Sequence, residues 1–176
     1  NKKLEKKIRS HTVYSSGVPI NPFKRHEIDV DGEMIPEKNA DVSLRIANIF
    51  THVYKFKEQQ FSALYDACRK GLEKYKDDMC IEYFREELEQ SENKAAKTVL
   101  SKIAPFIDSV DFKENKEFDW GKVLYDDSKI TIFQLKNYVR DIQVIITELM
   151  LWDAWHYTKK NGSKNEIKKN GTEESS

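Results

Sequence analysis

The sequence predicts a mainly α-helical protein with a minor β component. Three observations carry that expectation. Between residues 41 and 105, four successive segments place apolar side chains at helical spacing and are joined by short polar connections. Residues 138–159 repeat this spacing over a longer run. Against them stands one strongly strand-like stretch, Ile130-Thr131-Ile132-Phe133-Gln134-Leu135, rich in β-branched and aromatic side chains.

Composition narrows the class. A chain of 176 residues is long enough to bury one real core. Lys+Arg and Asp+Glu both number 30, so no net field draws the whole chain onto nucleic acid or membrane. No apolar run approaches the roughly 20 residues of a membrane span. The Lys-rich start lacks the apolar segment of a secretion signal, so a cytoplasmic location is expected. Cys68 and Cys80 lie on separate predicted helices without a CxxC pairing, and read as reduced thiols; a disulfide between them is the alternative.

The elements follow in order. Residues 1–40 form an extended lead-in. Its basic start (Lys2, Lys3, Lys6, Lys7, Arg9) reads as a solvated helix face, and residues 11–14 as a brief strand. Pro19 and Pro22 hold Val18 to Phe23 extended, and Asp31-Gly32 marks a hairpin turn. Residues 41–110 form a helical subdomain. Asp41 is expected to cap its first helix, which carries Val42, Ile46, Ile49, Phe50 and Val53 inward. A second helix spans 58–75 and a third 78–90; Ser91 is expected to cap a fourth, ended or kinked by Pro105. Ile46, Phe50, Phe61, Leu64, Phe84 and Val99 should share one core. Residues 111–160 hold an irregular linker over 112–125 with Phe118 and Trp120 as anchors, then the strand and the long helix. Residues 161–176 are polar and low in complexity, and a disordered tail is expected.

Four segments together resemble the HerA/FtsK superfamily of DNA-translocating ATPases. They are Gly17-Val18-Pro19-Ile20-Asn21-Pro22-Phe23-Lys24-Arg25, Arg45-Ile46-Ala47-Asn48-Ile49-Phe50, Glu58-Gln59-Gln60, and the strand-helix run from residue 130 to 153. The likeness is nearest to the DptH-type ATPases of phosphorothioation-linked DNA restriction systems. It extends more broadly to the conjugation-type ATPases of type IV secretion, and it covers roughly residues 8–160. The resemblance implies a helical insertion set beside a strand-helix unit of a P-loop, RecA-like α/β core. It implies ATP and Mg²⁺ as cofactors of the whole motor, and self-association or partner ATPase and restriction subunits, with DNA, as its contacts. The chain matches only the middle of that pattern. It contains no G-x-x-x-x-G-K-[ST], and after Lys160 no apolar strand ending in Asp-Glu. Catalysis by this chain alone is therefore not expected, and a piece of a larger protein or a remnant of a broken gene is. A stand-alone helical interaction module without enzymatic activity is the alternative.

Candidate functional residues are correspondingly accessory. Gln134, near the strand end, matches a side chain that faces the γ-phosphate in such motors; the plain reading is a locally satisfied amide. Arg140 matches a residue that reaches a neighbouring subunit's phosphate; the plain reading is a surface charge. Asn21, Lys24 and Arg25 form the best polar-basic cluster, a DNA-facing or subunit-facing edge in one reading and a capped turn with solvated cations in the other. Glu148 and Asp153 sit five apart on the long helix and point in different directions, which disfavours paired acid-base work. His156 lies three residues after Asp153 without a second ligand at zinc-type spacing, and His11, His26 and His52 are scattered.

Overall fold

A computed structural model describes residues 7–114 and 118–162. The protein is mainly helical with two small sheets. In chain order it comprises β1 (Ile8–Thr12), α1 (Val13–Ser16), β2 (Glu27–Val30), β3 (Glu33–Pro36), α2 (Asn39–Tyr54), α3 (Glu58–Tyr75), a 3-10 turn (Lys76–Asp78), α4 (Ile81–Glu89), α5 (Ala95–Ser109), α6 (Trp120–Leu124), β4 (Ile130–Gln134) and α7 (Arg140–Asn161).

The lead-in departs from its sequence pattern by a few residues. The strand occupies Ile8–Thr12, and the chain then coils into one helical turn. The hydroxyls of Ser15 and Ser16 both donate to the Thr12 carbonyl, at 3.1 and 3.0 Å, and close that turn while Val13 is fully buried. Arg9 therefore lies in a strand rather than on a helix face. It donates to the Lys122 carbonyl at 3.1 Å and pairs with Asp126 at 3.1 Å. Lys2, Lys3, Lys6 and the tail from residue 163 lie outside the described residues. At Asp31-Gly32 both φ values are positive, 54° and 89°, as a two-residue hairpin turn requires. The Asp29 carboxylate accepts the Gly32 amide at 2.8 Å, and β2 and β3 pair antiparallel from Glu27↔Pro36 to Val30↔Glu33.

Helices α2–α5 pack as the apolar spacing directs. Ile46, Phe50, Leu64, Phe84 and Val99 are buried together, with Phe61 half-buried against them. Four boundaries differ from expectation; α4 starts at Ile81 rather than at Asp78, which belongs to the 3-10 turn. Asp41 is not the cap of α2; the helix starts two residues earlier, and the Asp41 carboxylate reaches back to the Lys38 amide at 3.2 Å. Ser91 does not cap α5; the Asn93 side chain accepts the Ala95 amide at 2.9 Å, and the helix begins there. Pro105 neither ends nor breaks α5, which runs on to Ser109. Pro105 and Ser101 both sit on the exposed face, so water can satisfy the carbonyl that proline leaves unpaired. Ile103 and Phe106, both fully buried, hold the helix on course.

Gly71 lies in the C-terminal part of α3, where Met79, just past the 3-10 turn, folds back onto the helix. A Cβ there would stand 2.4 Å from Met79 Cε and 2.6 Å from its Sδ, and Met79 is buried. Gly71→Ala should gain helix propensity of about 1 kcal/mol but overpack the site by about 1–3 kcal/mol. A net loss of stability is expected in urea titration. A more stable variant would show that Met79 repacks freely.

The β1 and β4 strands pair in parallel, from Ile8↔Ile130 to Thr12↔Gln134, across the whole helical subdomain. The inner face of this ribbon stacks His11 on Phe133 at 5.3 Å, and Phe118 and Trp120 pack on Phe133 at 6.1 and 6.2 Å. The segment read as irregular contains α6, capped by Asp119, whose carboxylate accepts the Gly121 amide at 2.8 Å. The outer face leaves Ile8, Ile130 and Ile132 exposed. Helix α7 buries Ile142, Ile145, Ile146 and Leu149 against α2, in one apolar cluster with α2–α5. Trp152 is 39% exposed, with Leu151 and Trp155 more so, while His156 is buried. Cys68 and Cys80 are both free; burial pushes the Cys68 thiol up to about 12. No helix among the described residues is long and apolar enough to cross a membrane.

Candidate functional site

The site begins at the Asn21-Pro22-Phe23 turn. The Asn21 side chain accepts the Phe23 amide at 3.0 Å and donates to the Met79 carbonyl at 3.0 Å, while Phe23 is buried against Phe84 at 5.5 Å. This turn is fixed at both ends, so the next residues, Lys24 to His26, are delivered rigidly to the base of the hairpin. There His26 and Glu37 close the hairpin neck. The Glu37 amide donates to the His26 carbonyl at 2.7 Å, and the His26 amide donates to Glu37 Oε2 at 3.0 Å.

Helix α2 contributes Arg45 from within its apolar stripe. Its guanidinium donates to Glu37 Oε1 at 2.7 Å and to the Lys24 carbonyl at 3.2 Å. Helix α7 contributes Asp153 and His156 one turn apart. His26 Nε2 lies 3.2 Å from Asp153 Oδ1, and Trp120 Nε1 donates to Asp153 Oδ2 at 2.6 Å. His156 Nε2 lies 3.3 Å from Glu37 Oε1 and 3.5 Å from Arg45 Nη1. The two imidazole rings stack face to face, 4.3 Å between centroids and 3° from parallel. His156 Nδ1 is buried and has no hydrogen-bond partner among the described residues.

Electrostatics follow from this geometry. Burial alone would raise the Glu37 carboxyl. The hydrogen bond from Arg45, then the His26 amide and the charges of Arg45 and His156, outweigh it and hold the carboxyl below its usual value. Asp153 is likewise held low, its burial outweighed by the bonds from His26 and Trp120 and the charges of His26 and Lys24. His156 moves the other way for an imidazole. Burial first, then the positive charges of His26 and Arg45, push it down to about 4 against the pull of Glu37 and Asp153. It is therefore neutral at physiological pH.

His26, Asp153 and His156 form one wall of a cleft of about 690 Å³, whose other walls include Phe118, Trp120, Tyr157 and Pro36. Three of the sequence-predicted residues, Asn21, Lys24 and Arg25, line this cleft. Lys24 pairs with Glu114 at 3.6 Å and Arg25 with Asp77 at 2.5 Å, so each rim cation already has a carboxylate. Gln134 and Arg140 lie elsewhere. Gln134 donates to the Ser10 hydroxyl at 2.9 Å and accepts from the Thr12 hydroxyl at 3.4 Å, so its amide is held by side chains of the paired strand rather than by local backbone. Arg140 is exposed at the start of α7. Asp153 is half-buried and pairs with His26, a residue isolated in sequence.

No protein-family model, curated protein or solved structure matches the chain. Sequence reasoning missed Glu37 and Arg45 as members of this cluster. Two signals point to it: Arg45 falls on the apolar face set by Val42, Ile46 and Ile49, and Asp153 and His156 share a face of a helix buried elsewhere. The arrangement can clamp α7 to the hairpin and can hold or release protons beside a cleft. Among the described residues no group of three or more ligand-type side chains is spaced to hold a metal ion.

Proposed function

We propose that the chain is the helical and strand-helix segment of an ATP-driven DNA translocase of the HerA/FtsK type, working in DNA restriction or defence. In this reading it supplies packing and subunit-facing surface, and the nucleotide site with its Mg²⁺ is built from sequence outside these 176 residues. The observation that carries the reading is the β1-β4 pairing. Two parallel strands bracket a helical subdomain, and the second leads directly into a long helix. Parallel strands belong to sheets covered on both faces, yet here Ile8, Ile130 and Ile132 face solvent. The cleft rim supports a protein-facing role over a DNA-facing one, because matched cation-carboxylate pairs release few counterions on meeting phosphates.

A second reading, a helical scaffold module without enzymatic activity, is favoured by the core of α2–α5, which closes without the ribbon. Sedimentation velocity over rising concentration separates the two. The motor-segment reading expects concentration-dependent association through the exposed ribbon and α7, and no detectable Mg-ATP binding in calorimetry. A chain that stays monomeric at high micromolar concentration favours the scaffold reading. Micromolar Mg-ATP affinity with turnover overturns both.

A further inference from the structure

We propose that the stacked His26–His156 pair is a proton-operated latch that fastens α7 to the hairpin at neutral pH and releases it on acidification. The inference goes beyond the proposed function and stands whether or not that reading holds. Its basis is the composition of the cluster. Among the described residues the charged groups acting on the two rings are Glu37 from the end of the hairpin, Arg45 from α2, Asp153 from α7 and, acting through Asp153, Lys24 from the turn, while Lys160 of α7 pairs with Glu27 of the hairpin along the same cleft. Trp120, Trp152 and Trp155 supply the remaining walls, with the Trp152 and Trp155 rings 5.9 and 5.1 Å from the His156 ring.

Two carboxylates face one fixed guanidinium. Of the two rings, His26 is the one set against a carboxylate that no guanidinium already holds, Asp153 at 3.2 Å. A proton on His156 has no such place. It would set a cation 4.3 Å from the His26 ring and beside Arg45, while Glu37, the carboxylate 3.3 Å from it, is already held by Arg45 and the His26 amide. The proton comes from solvent and goes to an imidazole nitrogen, so no other reactant is needed. Release of His156 frees the ring to be solvated and separates the C-terminal half of α7 from the hairpin neck. The cleft between them then widens, since His26, Asp153 and His156 all line it.

The sign is fixed by linkage. A histidine held down to about 4 from 6.5 costs stability as pH falls through that window, because the released form takes up the proton and the latched form does not. Glu37 and Asp153 are also held low, so their own contribution is lost only as pH falls from the ordinary carboxylate values of 4.5 and 3.8 downward, at the acid end of this range.

The experiment is hydrogen exchange of the full chain, read peptide by peptide across α7, between pH 7 and pH 4 after correction for the intrinsic pH dependence. The wild type should lose protection in the half of α7 around Asp153 to Tyr157, reversibly, by about ten-fold per pH unit for one proton taken up. The α2–α5 peptides should not change. His156→Phe keeps a ring stacked on His26 but cannot take a proton, and should hold its protection through this window. The same loss in His156→Phe as in the wild type overturns the latch. Should that variant not fold, NMR titration of the His156 ring in the wild type decides: protonation in step with the loss of α7 protection supports the proposal, and protonation without it overturns the proposal.

Discussion

Phe50→Ala should destabilise the protein by about 3–5 kcal/mol, the range for deleting a buried aromatic ring. Phe50 is buried at the meeting point of three helices. Its ring meets Phe106 edge-on at 5.2 Å, Phe84 at 6.2 Å and Tyr54 at 6.3 Å. Each neighbour is pinned by its own helix, so the void left by the ring cannot collapse without moving α4 or α5. Urea unfolding should show a lower midpoint with an unchanged slope. The control is Lys97→Ala on the exposed face of α5, for which no more than a few tenths of a kcal/mol is expected. Equal midpoints for the two variants would mean that this is not the core.

Arg45→Met should be comparably costly, at about 3–5 kcal/mol, for a different reason. Removing the guanidinium leaves Glu37 in a site where its side chain is 6% exposed, with no fixed cation to offset its desolvation. Burial is the largest influence on that carboxyl and the Arg45 hydrogen bond the largest opposing one, so the variant should raise its affinity for protons. The part of the loss due to Glu37 should then shrink as pH falls, the reverse of the normal trend for a carboxylate held low. Combining Arg45→Met with Glu37→Gln should cost less than the two single changes added together, because neither charge is then stranded. Strict additivity in that cycle would show that Arg45 and Glu37 do not act as a pair.

The sequence by itself determined the helices of the subdomain and their inward faces. The 58–75 helix has the bounds its pattern implies, and Ile46, Phe50, Leu64, Phe84 and Val99 are buried together. It also determined the hairpin turn at Asp31-Gly32, because only local φ preferences are needed there. These features depend on residues a few positions apart, and periodicity records such relations directly. The tertiary structure decided everything that depends on distant partners. It carried α5 through Pro105, because Phe106 had a core to fill and the unpaired carbonyl had solvent to face. It paired β1 with β4 in parallel, a register that no local pattern encodes. It also gathered His26, Glu37, Arg45, Asp153 and His156 into one cluster, with Glu37, Arg45 and His156 buried. Read one at a time, those residues are a scattered histidine, an arginine in an apolar stripe and a carboxylate on a helix. Charges so far apart in sequence acquire meaning only when folding removes the water between them, since burial is what makes each one require its partner.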